Sequence, residues 1–467
     1  MSKRFHIANM GCRANLYDGH VLHQDLTQEG WTPAASGESA DLVVINSCTV
    51  TSQADRDSRK LAGRLRRRFP GSTVVMTGCG AEISPDQMAE VPAVDHVIGN
   101  QDKHRLLELA LGASPSAPGV LGGATTLDAT KARHSADRRW PEPAQAFSPP
   151  VDRTVRTRTF LKVQEGCDAF CTFCIIPFAR GPGRSLRPSE VIQHVRSVQE
   201  SGAREVVLTG TAVDTYGADL SDELAFDQLI EMVLEKTTIE RVRLPSLDPL
   251  ALSPKLCSLM VADARLSPHA HVALQSPHSG ILKRMKRRYT AEDVAESLRG
   301  LAAAGETIEK TRPLPGGLFV GMDVITGFPG ETDAIFEWTV ERLRALPWHR
   351  LHVFPYSERL ETAATRLDGV VEMAERKRRV RVLMDLSLER LTGHYKTLVD
   401  SGSALDVLIE GEPRDGSVRG RTSNFYRVRL AAGDSPPERN TWVRVRPTGV
   451  SPDPQLSEAT LEATRIS

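Results

Sequence analysis

No stretch of this 467-residue chain approaches the ~20 consecutive apolar residues that a membrane-spanning helix needs. The opening MSKRFHIANMGC lacks the apolar core of a secretory signal peptide. A charge excess is missing too: 59 Lys and Arg balance 59 Asp and Glu, which argues against a protein that coats nucleic acid non-specifically. Repeats at a fixed period are absent. With 40% hydrophobic and 25% charged residues, the expectation is a soluble, cytoplasmic protein with no membrane partner. Cysteines number only seven. In a reducing compartment they are poor candidates for disulfides, so any clustered ones point to metal.

What is present divides along the chain. RFHIANM, DLVVINS, STVVMTG and DHVIG read as strands, alternating with helical segments at Asp18–Gly30 and Ala54–Phe69. That alternation predicts a parallel, doubly wound α/β domain over 1–112. The Gly-, Pro-, Ala- and Ser-rich stretch 113–152 lacks periodicity and reads as a linker. Over 153–397 six further strands (FLKVQEG, EVVLTG, RVRLPS, HVALQ, GMDVITG, RLHVFPY) predict a partial (β/α)6 barrel with its active site at the strands' carboxyl ends. A long basic helix, Glu372–Thr397, closes that series. Residues 398–467, with ALDVLIEG, GSVRGRTSNFYRVRLA and TWVRVRPTG, predict a small all-β barrel. Basic runs at Arg64–Arg68, Lys283–Arg288, Arg376–Arg381 and Arg419–Arg429 leave room for local phosphate contacts.

Cys167, Cys171 and Cys174 form a CxxxCxxC run directly after FLKVQEG. Three thiolates in one tight loop suit three irons of a [4Fe–4S] cube and leave one position open, as a site that binds substrate requires. Structural zinc wants four ligands, and Asp168, Thr172 and Phe173 offer no evident fourth. Cys12, Cys48 and Cys79 each lie just past the carboxyl end of a predicted strand. In a parallel sheet those ends share one edge, so the three converge despite their separation, and a second cluster is expected there. Cys257, in a helical pattern without a partner, reads as core filler.

The CxxxCxxC loop at the end of the first barrel strand resembles the cluster motif of the radical S-adenosylmethionine superfamily. MGCRANLYDG, NSCTVTSQAD, TGCGAE and VDHVIGNQDK resemble the N-terminal domain of its methylthiotransferase family. The resemblance implies S-adenosylmethionine on the open iron held by Cys167, Cys171 and Cys174. It also implies an auxiliary [4Fe–4S] cluster on Cys12, Cys48 and Cys79, which carries the sulfur to be transferred. Phe173 then sits where the family has an aromatic beside the adenine. Gly210, Gln275, Asp323, Ile325 and Gly327 occupy the family's cofactor-facing places on later strands. Pro277 and His278 depart from the usual Gly-Ser of that block, and the segment TIEKTRPLPGGLF is atypical.

The tail resembles the TRAM domain, a small RNA-binding barrel, so Arg419, Arg421, Arg427 and Arg429 are expected to meet phosphates and Phe425 and Tyr426 to stack on bases. CIIPFARGPGRSLRP, VVLTGTAVDTYGADL, RLPSLDP and LHVFPYSER most resemble the subgroup acting on N6-threonylcarbamoyladenosine (t6A) in tRNA. The resemblance thus implies methylthiolation of t6A at position 37, with the tRNA anticodon stem-loop as substrate and a reductant such as flavodoxin or ferredoxin. The sister activities, on isopentenyladenosine in tRNA or on a ribosomal-protein aspartate, are the alternatives. A non-enzymatic iron–sulfur RNA-binding protein is disfavoured, because an electron carrier normally saturates its clusters with four cysteines.

Overall fold

The structure, a computed structural model, describes residues 3–112, 119–122, 157–312, 314–359, 362–411, 416–431, 436–453 and 458–466. Its first body is an all-parallel sheet in the order β2-β1-β3-β4-β5-β6. The strands are β1 (Arg4–Asn9), β2 (Thr32–Pro33), β3 (Leu42–Ser47), β4 (Thr73–Gly78), β5 (His96–Ile98) and β6 (Gly119–Leu121). All six residues of β3 are buried, as expected for a central parallel strand covered on both faces. Val43 and Ile45 pack toward Ala62, Leu65 and Phe69 of or just after the helix Ser52–Arg68. Leu42 and Val44 pack on the other face, toward Leu22 and Leu26 of the helix Arg13–Gln28. The period-two alternation of one strand thus serves two helical layers. Strand β6 falls inside the stretch read from the sequence as a linker: Val120 is apolar enough to extend the sheet edge, a signal too short for periodicity. The rest of that predicted linker lies outside the described residues.

The second body is the expected six-strand partial barrel, all parallel, with its third strand broken. Strands β7 (Arg158–Lys162), β10 (Glu205–Thr209) and β11 (Arg241–Arg243) form one sheet; β12 (Ser246–Leu247), β13 (His269–Gln275), β14 (Phe319–Thr326) and β15 (Arg350–Pro355) form the other. β11 and β12 are two halves of one predicted strand, interrupted at Leu244-Pro245. Proline lacks the N–H a ladder needs. A short antiparallel pair, β8 (Gln164–Glu165) and β9 (Arg184–Ser185), brackets the cysteine loop. Outward-facing side chains such as Leu208, Val272, Met322 and Leu351 join one continuous core beneath the helices; shortening any to Ala would cost ~2–5 kcal/mol.

The third body is a closed barrel in the order β16-β17-β18-β20-β19. It comprises β16 (Leu405–Ile409), β17 (Ser417–Thr422), β18 (Arg427–Ala431), β19 (Trp442–Asp453) and β20 (Glu458–Arg465). The last strand, EATLEATR, carries little sequence signal because only Leu461 is strongly apolar on its inward face. The helix Met373–Asp400 overruns the boundary expected at 397, and Leu391, Tyr395 and Leu398 sit in the barrel's core. The atypical segment near 307–319 now has a role. Thr307–Thr311 finishes a helix, and the backbone beyond it docks the barrel: Asn424 Nδ2 donates to Pro315 O (3.1 Å) and Gly317 O (3.0 Å), and Tyr426 Oη to Gly316 O (3.1 Å).

The first body closes the open side of the partial barrel. It holds the first barrel strand through Asp18 and Lys162 (2.8 Å), and the loop after the last one through Asp55 and Arg359 (2.7 Å). This brings the carboxyl ends of both parallel sheets to one place.

Candidate active site

Each predicted cysteine lies in a turn at the carboxyl end of a strand. Cys12 caps the helix after β1, Cys48 follows β3, and Cys79 begins the helix Cys79–Ile83 after β4. A Cβ added at Gly11 would fall 2.5 Å from Cys48 Sγ, so only glycine lets the Cys12 loop approach Cys48 this closely. Burial pushes the Cys79 thiol up to about 12. In the second set Arg287 Nη1 donates to Cys171 Sγ (3.1 Å), and burial pushes Cys174 up to about 12. Backbone amides of Val50, Ala169 and Ile176 donate to the sulfurs of Cys48, Cys167 and Cys174 respectively, each from two residues downstream. Amide and guanidinium donors of this kind favour a charged sulfur.

The spacing bears on which metal would fit. A tetrahedral zinc with Zn–S near 2.3 Å brings its sulfurs within about 4 Å of each other. Among the described residues neither cysteine set is that tight; the one group of three potential ligands within 4.8 Å of each other is His271, Asp323 and His352. The cysteine sets therefore suit a multi-iron cube better than a single ion. Cys79 and Ile175, the residue after Cys174, belong to one apolar cluster with Ile83 and Ala179, so the two sets are neighbours.

Between them lies a buried ionic network that sequence reasoning missed. Asp18 is met by Lys103 (2.9 Å), Lys162 (2.8 Å) and Arg180 (3.0 Å), while Glu165 pairs with Lys162 and Arg180. Arg180 also donates to Asn15 Oδ1 (2.6 Å), which lies 3.8 Å from Cys79 Sγ. Burial works against the ionised forms, but the surrounding cations hold Asp18 well below the usual carboxylate range. Cys79, Glu165 and Asp18 likewise keep Arg180 charged against its burial.

Beside the CxxxCxxC loop opens a cleft of ≈ 870 Å³, counted to its mouth. Cys167, Cys171, Cys174, Phe173, Gly210 and Gln275 line it together, as anticipated. Gln164 Oε1 accepts from the amides of Thr211 (3.0 Å) and Ala212 (2.8 Å), fixing the loop that carries Gly210. Gln275 follows a break in the β13–β14 register and has φ 62°, which turns it into the cleft. Arg287 and Asp248 (2.6 Å apart) are further lining residues; Arg287 was visible only as part of a basic run.

Three expected cofactor contacts stand elsewhere. Asp323 does not line the cleft: it accepts from His271 Nε2 (2.9 Å), with His352 Nδ1 3.6 Å away. Ile325 packs with Phe173 and Phe328 in a small apolar cluster. Gly327, at φ 68°, makes room for Arg376, whose Cγ would lie 2.3 Å from an added Cβ. The unusual Pro277-His278 pair is accommodated: His278 caps the helix Ser279–Arg284 and sits edge-on to Trp338 at 5.1 Å.

The anticipated RNA contacts need correction. Tyr426 is wholly buried, with His394 Nε2 at 2.9 Å, and cannot stack on a base. Phe425 lies 4.3 Å from His269 at the floor of the partial barrel, under the guanidiniums of Arg243 and Arg421. Arg421, Arg427 and Arg429 pair with Glu410, Glu458 and Glu462; only Arg419 is exposed without a carboxylate among the described residues. In the run Arg376–Arg381, Arg376 and Arg379 are 2% exposed and tie the long helix to the barrel loops. These arginines are structural because each reaches a carboxylate or carbonyl that is distant in sequence.

Residues 4–99 match the family described as Uncharacterized protein family UPF0004, and residues 161–343 match the Radical SAM superfamily. Threonylcarbamoyladenosine tRNA methylthiotransferase MtaB of Aquifex aeolicus is 34% identical over 87% of this chain and 92% of its own length. The protein of that name from Bacillus subtilis is 33% identical over 90% and 88%. The tRNA-2-methylthio-N(6)-dimethylallyladenosine synthase of Desulfosudis oleivorans is 31% identical over 88% and 84%. Among solved structures, the radical S-adenosylmethionine methyltransferase TsrM from Kitasatospora setae shares the fold, with TM-score 0.52 and 17% identity over 76% of this chain and 72% of that one. With relatives of this identity aligned along nearly their whole length, and with two cysteine sets at neighbouring strand ends, the chain belongs to the methylthiotransferase family of radical S-adenosylmethionine enzymes.

Proposed function

We propose that this protein converts t6A at position 37 of tRNA, beside the anticodon, to its 2-methylthio derivative. The observation that carries the reading is the juxtaposition of two three-cysteine sets across the Arg180 network. Cys167, Cys171 and Cys174 would hold one [4Fe–4S] cluster with S-adenosylmethionine, and Cys12, Cys48 and Cys79 the other. When bound, these groups supply one-electron cleavage of the sulfonium and the sulfur to be transferred. The chain's own residues bind and orient. Phe173, Gly210 and Gln275 form the walls of the cleft beside the first set. Arg287 steadies the charge at Cys171 and anchors to Asp248, holding the cleft in shape. Ile175 and Ala179 form an apolar partition with Cys79 that limits water between the two sets.

The substrate base would come from a single-stranded loop, whose bases can be splayed out and stacked. The reductant would be a small carrier such as flavodoxin or ferredoxin, and the compartment the cytoplasm. No helix among the described residues is long and apolar enough to cross a membrane. The deciding experiment is mass spectrometry of tRNA nucleosides from cells lacking the protein. Loss of 2-methylthio-t6A with accumulation of t6A is expected. Loss of 2-methylthio-isopentenyladenosine with t6A derivatives intact would transfer the assignment to the sister activity.

A further inference from the structure

The interior of the partial barrel is polar and carries a surplus of positive charge. Three glutamates there are each clamped by two arginines. Glu205 meets Arg241 and Arg243, both at 2.9 Å; Glu410 meets Arg158 (3.0 Å) and Arg421 (3.2 Å); Glu458 meets Arg350 and Arg427. Each clamp therefore retains one uncompensated positive charge. Higher on the wall, the one remaining carboxylate of this group, Asp323, is occupied by His271.

Into this lumen comes Arg13, from the first body. It immediately follows Cys12 at the start of the helix Arg13–Gln28. Its nearest charged neighbours are Arg243, Arg158 and Arg421, and burial together with these cations pushes it down to about 10. Among the described residues Arg13 has no carboxylate within 4.0 Å and no hydrogen-bond acceptor. A buried guanidinium facing three others is costly unless an anion joins it. The same field disfavours the other reading of this region, a cation on His271, Asp323 and His352.

Resting on the proposed t6A substrate, we propose that Arg13 is a specificity-determining residue that receives the carboxylate of the threonylcarbamoyl group. The chemistry fits. The threonyl amine is consumed in the urea link, so its carboxylate is free, and an arginine fork binds carboxylate bidentately. C2, which is methylthiolated, and N6, which bears the threonylcarbamoyl group, lie on the same edge of the purine. A side chain adjoining Cys12 is therefore placed to read N6 while C2 faces the auxiliary cysteines. An isopentenyl group carries no charge and would leave Arg13 unpaired.

The test measures affinity of the reconstituted protein for anticodon stem-loop RNAs carrying t6A, unmodified adenosine, or t6A whose carboxylate is a neutral amide. The native protein should prefer t6A over both others by about 10- to 100-fold. In Arg13→Gln the three RNAs should bind alike, with iron content unchanged as the check on Cys12. A native preference for t6A that survives neutralisation of the carboxylate, or persists in Arg13→Gln, overturns the role of Arg13 and leaves t6A as substrate. No native preference for t6A over adenosine counts against the substrate reading itself. The amide RNA needs no variant, so the outcome does not hinge on how Arg13→Gln folds.

Discussion

Arg180 Nη2 donates to Asn15 Oδ1 at 2.6 Å, linking the residue six positions past Cys174 to the side chain that touches Cys79. One guanidinium thus sits between the two cysteine sets, with Asp18 and Glu165 on its other nitrogens. Arg180→Gln should leave those carboxylates short of a cation and cost ~3–5 kcal/mol in stability. Removing a positive charge beside Cys79 should also make a cluster held there harder to reduce, so its midpoint potential should fall. Thermal denaturation of the apoprotein and a redox titration followed by electron paramagnetic resonance read the two effects. An unchanged potential would confine Arg180 to a packing role.

Anaerobic reconstitution should give about eight irons per chain, and about four after Cys167, Cys171 and Cys174 are all changed to Ala. A native plateau at four would remove the auxiliary site.

The two sets should also separate by chemistry. With Cys12, Cys48 and Cys79 changed to Ala, reductive cleavage of S-adenosylmethionine to 5′-deoxyadenosine should persist while methylthio transfer stops. Loss of cleavage with the first cluster still assembled would mean the sets do not divide the work.

Acid should loosen the C-terminal barrel. Burial lowers His349 to about 3 and His394 to about 4, and both sit at its seam, their rings 4.6 Å apart. Unfolded histidines titrate near 6.5, so between that value and the folded pKa values the unfolded chain binds more protons. Stability is therefore full above about pH 6.5 and falls on acidification, by up to ~1.4 kcal/mol per pH unit for each histidine. Urea denaturation at pH 7 and pH 5 should show this loss, and His394→Gln should reduce the difference. A pH-independent midpoint would contradict it.

With most of the barrel arginines paired, a free basic stripe elsewhere becomes the expected RNA grip. Arg56, Lys60, Arg64 and Arg67 are exposed at helical spacing on Ser52–Arg68, which starts four residues after Cys48. Changing all four to Ala should weaken tRNA binding and lower the salt slope by ~0.7–0.9 for each phosphate no longer neutralised. Arg421 and Arg427 replaced by Ala should chiefly lower thermal stability, since they answer Glu410 and Glu458. Native affinity and slope in the four-fold helix variant would return the grip to Arg419 and its neighbours.

The strands and cysteines were legible because a local pattern controls them. An apolar run such as LVVIN needs cover on both faces, and a turn after a parallel strand places its cysteine at the shared edge. What stayed hidden depends on partners remote in sequence. Arg180 and Asp18 are 162 positions apart, and nothing near either announces the pairing. Asp323 shares a strand with cofactor-facing candidates, but only the register of β14 and β15 sets it opposite His352. Tyr426 looked available for stacking because the hairpin sequence does not reveal that the 314–317 backbone will cover it.

The ionic network also bears on modularity. Asp18 and Lys103 come from the first body, while Lys162, Glu165 and Arg180 come from the second. Severing the chain between them would strand ionised groups on both new surfaces, each balanced only by the half that was removed. A graft of residues 1–112 from a relative would succeed only if it brought matching charges at these positions. The two bodies are consequently bound to diverge in step, and a substitution at Asp18 is tolerable only alongside a compensating one in the loop after the CxxxCxxC cysteines.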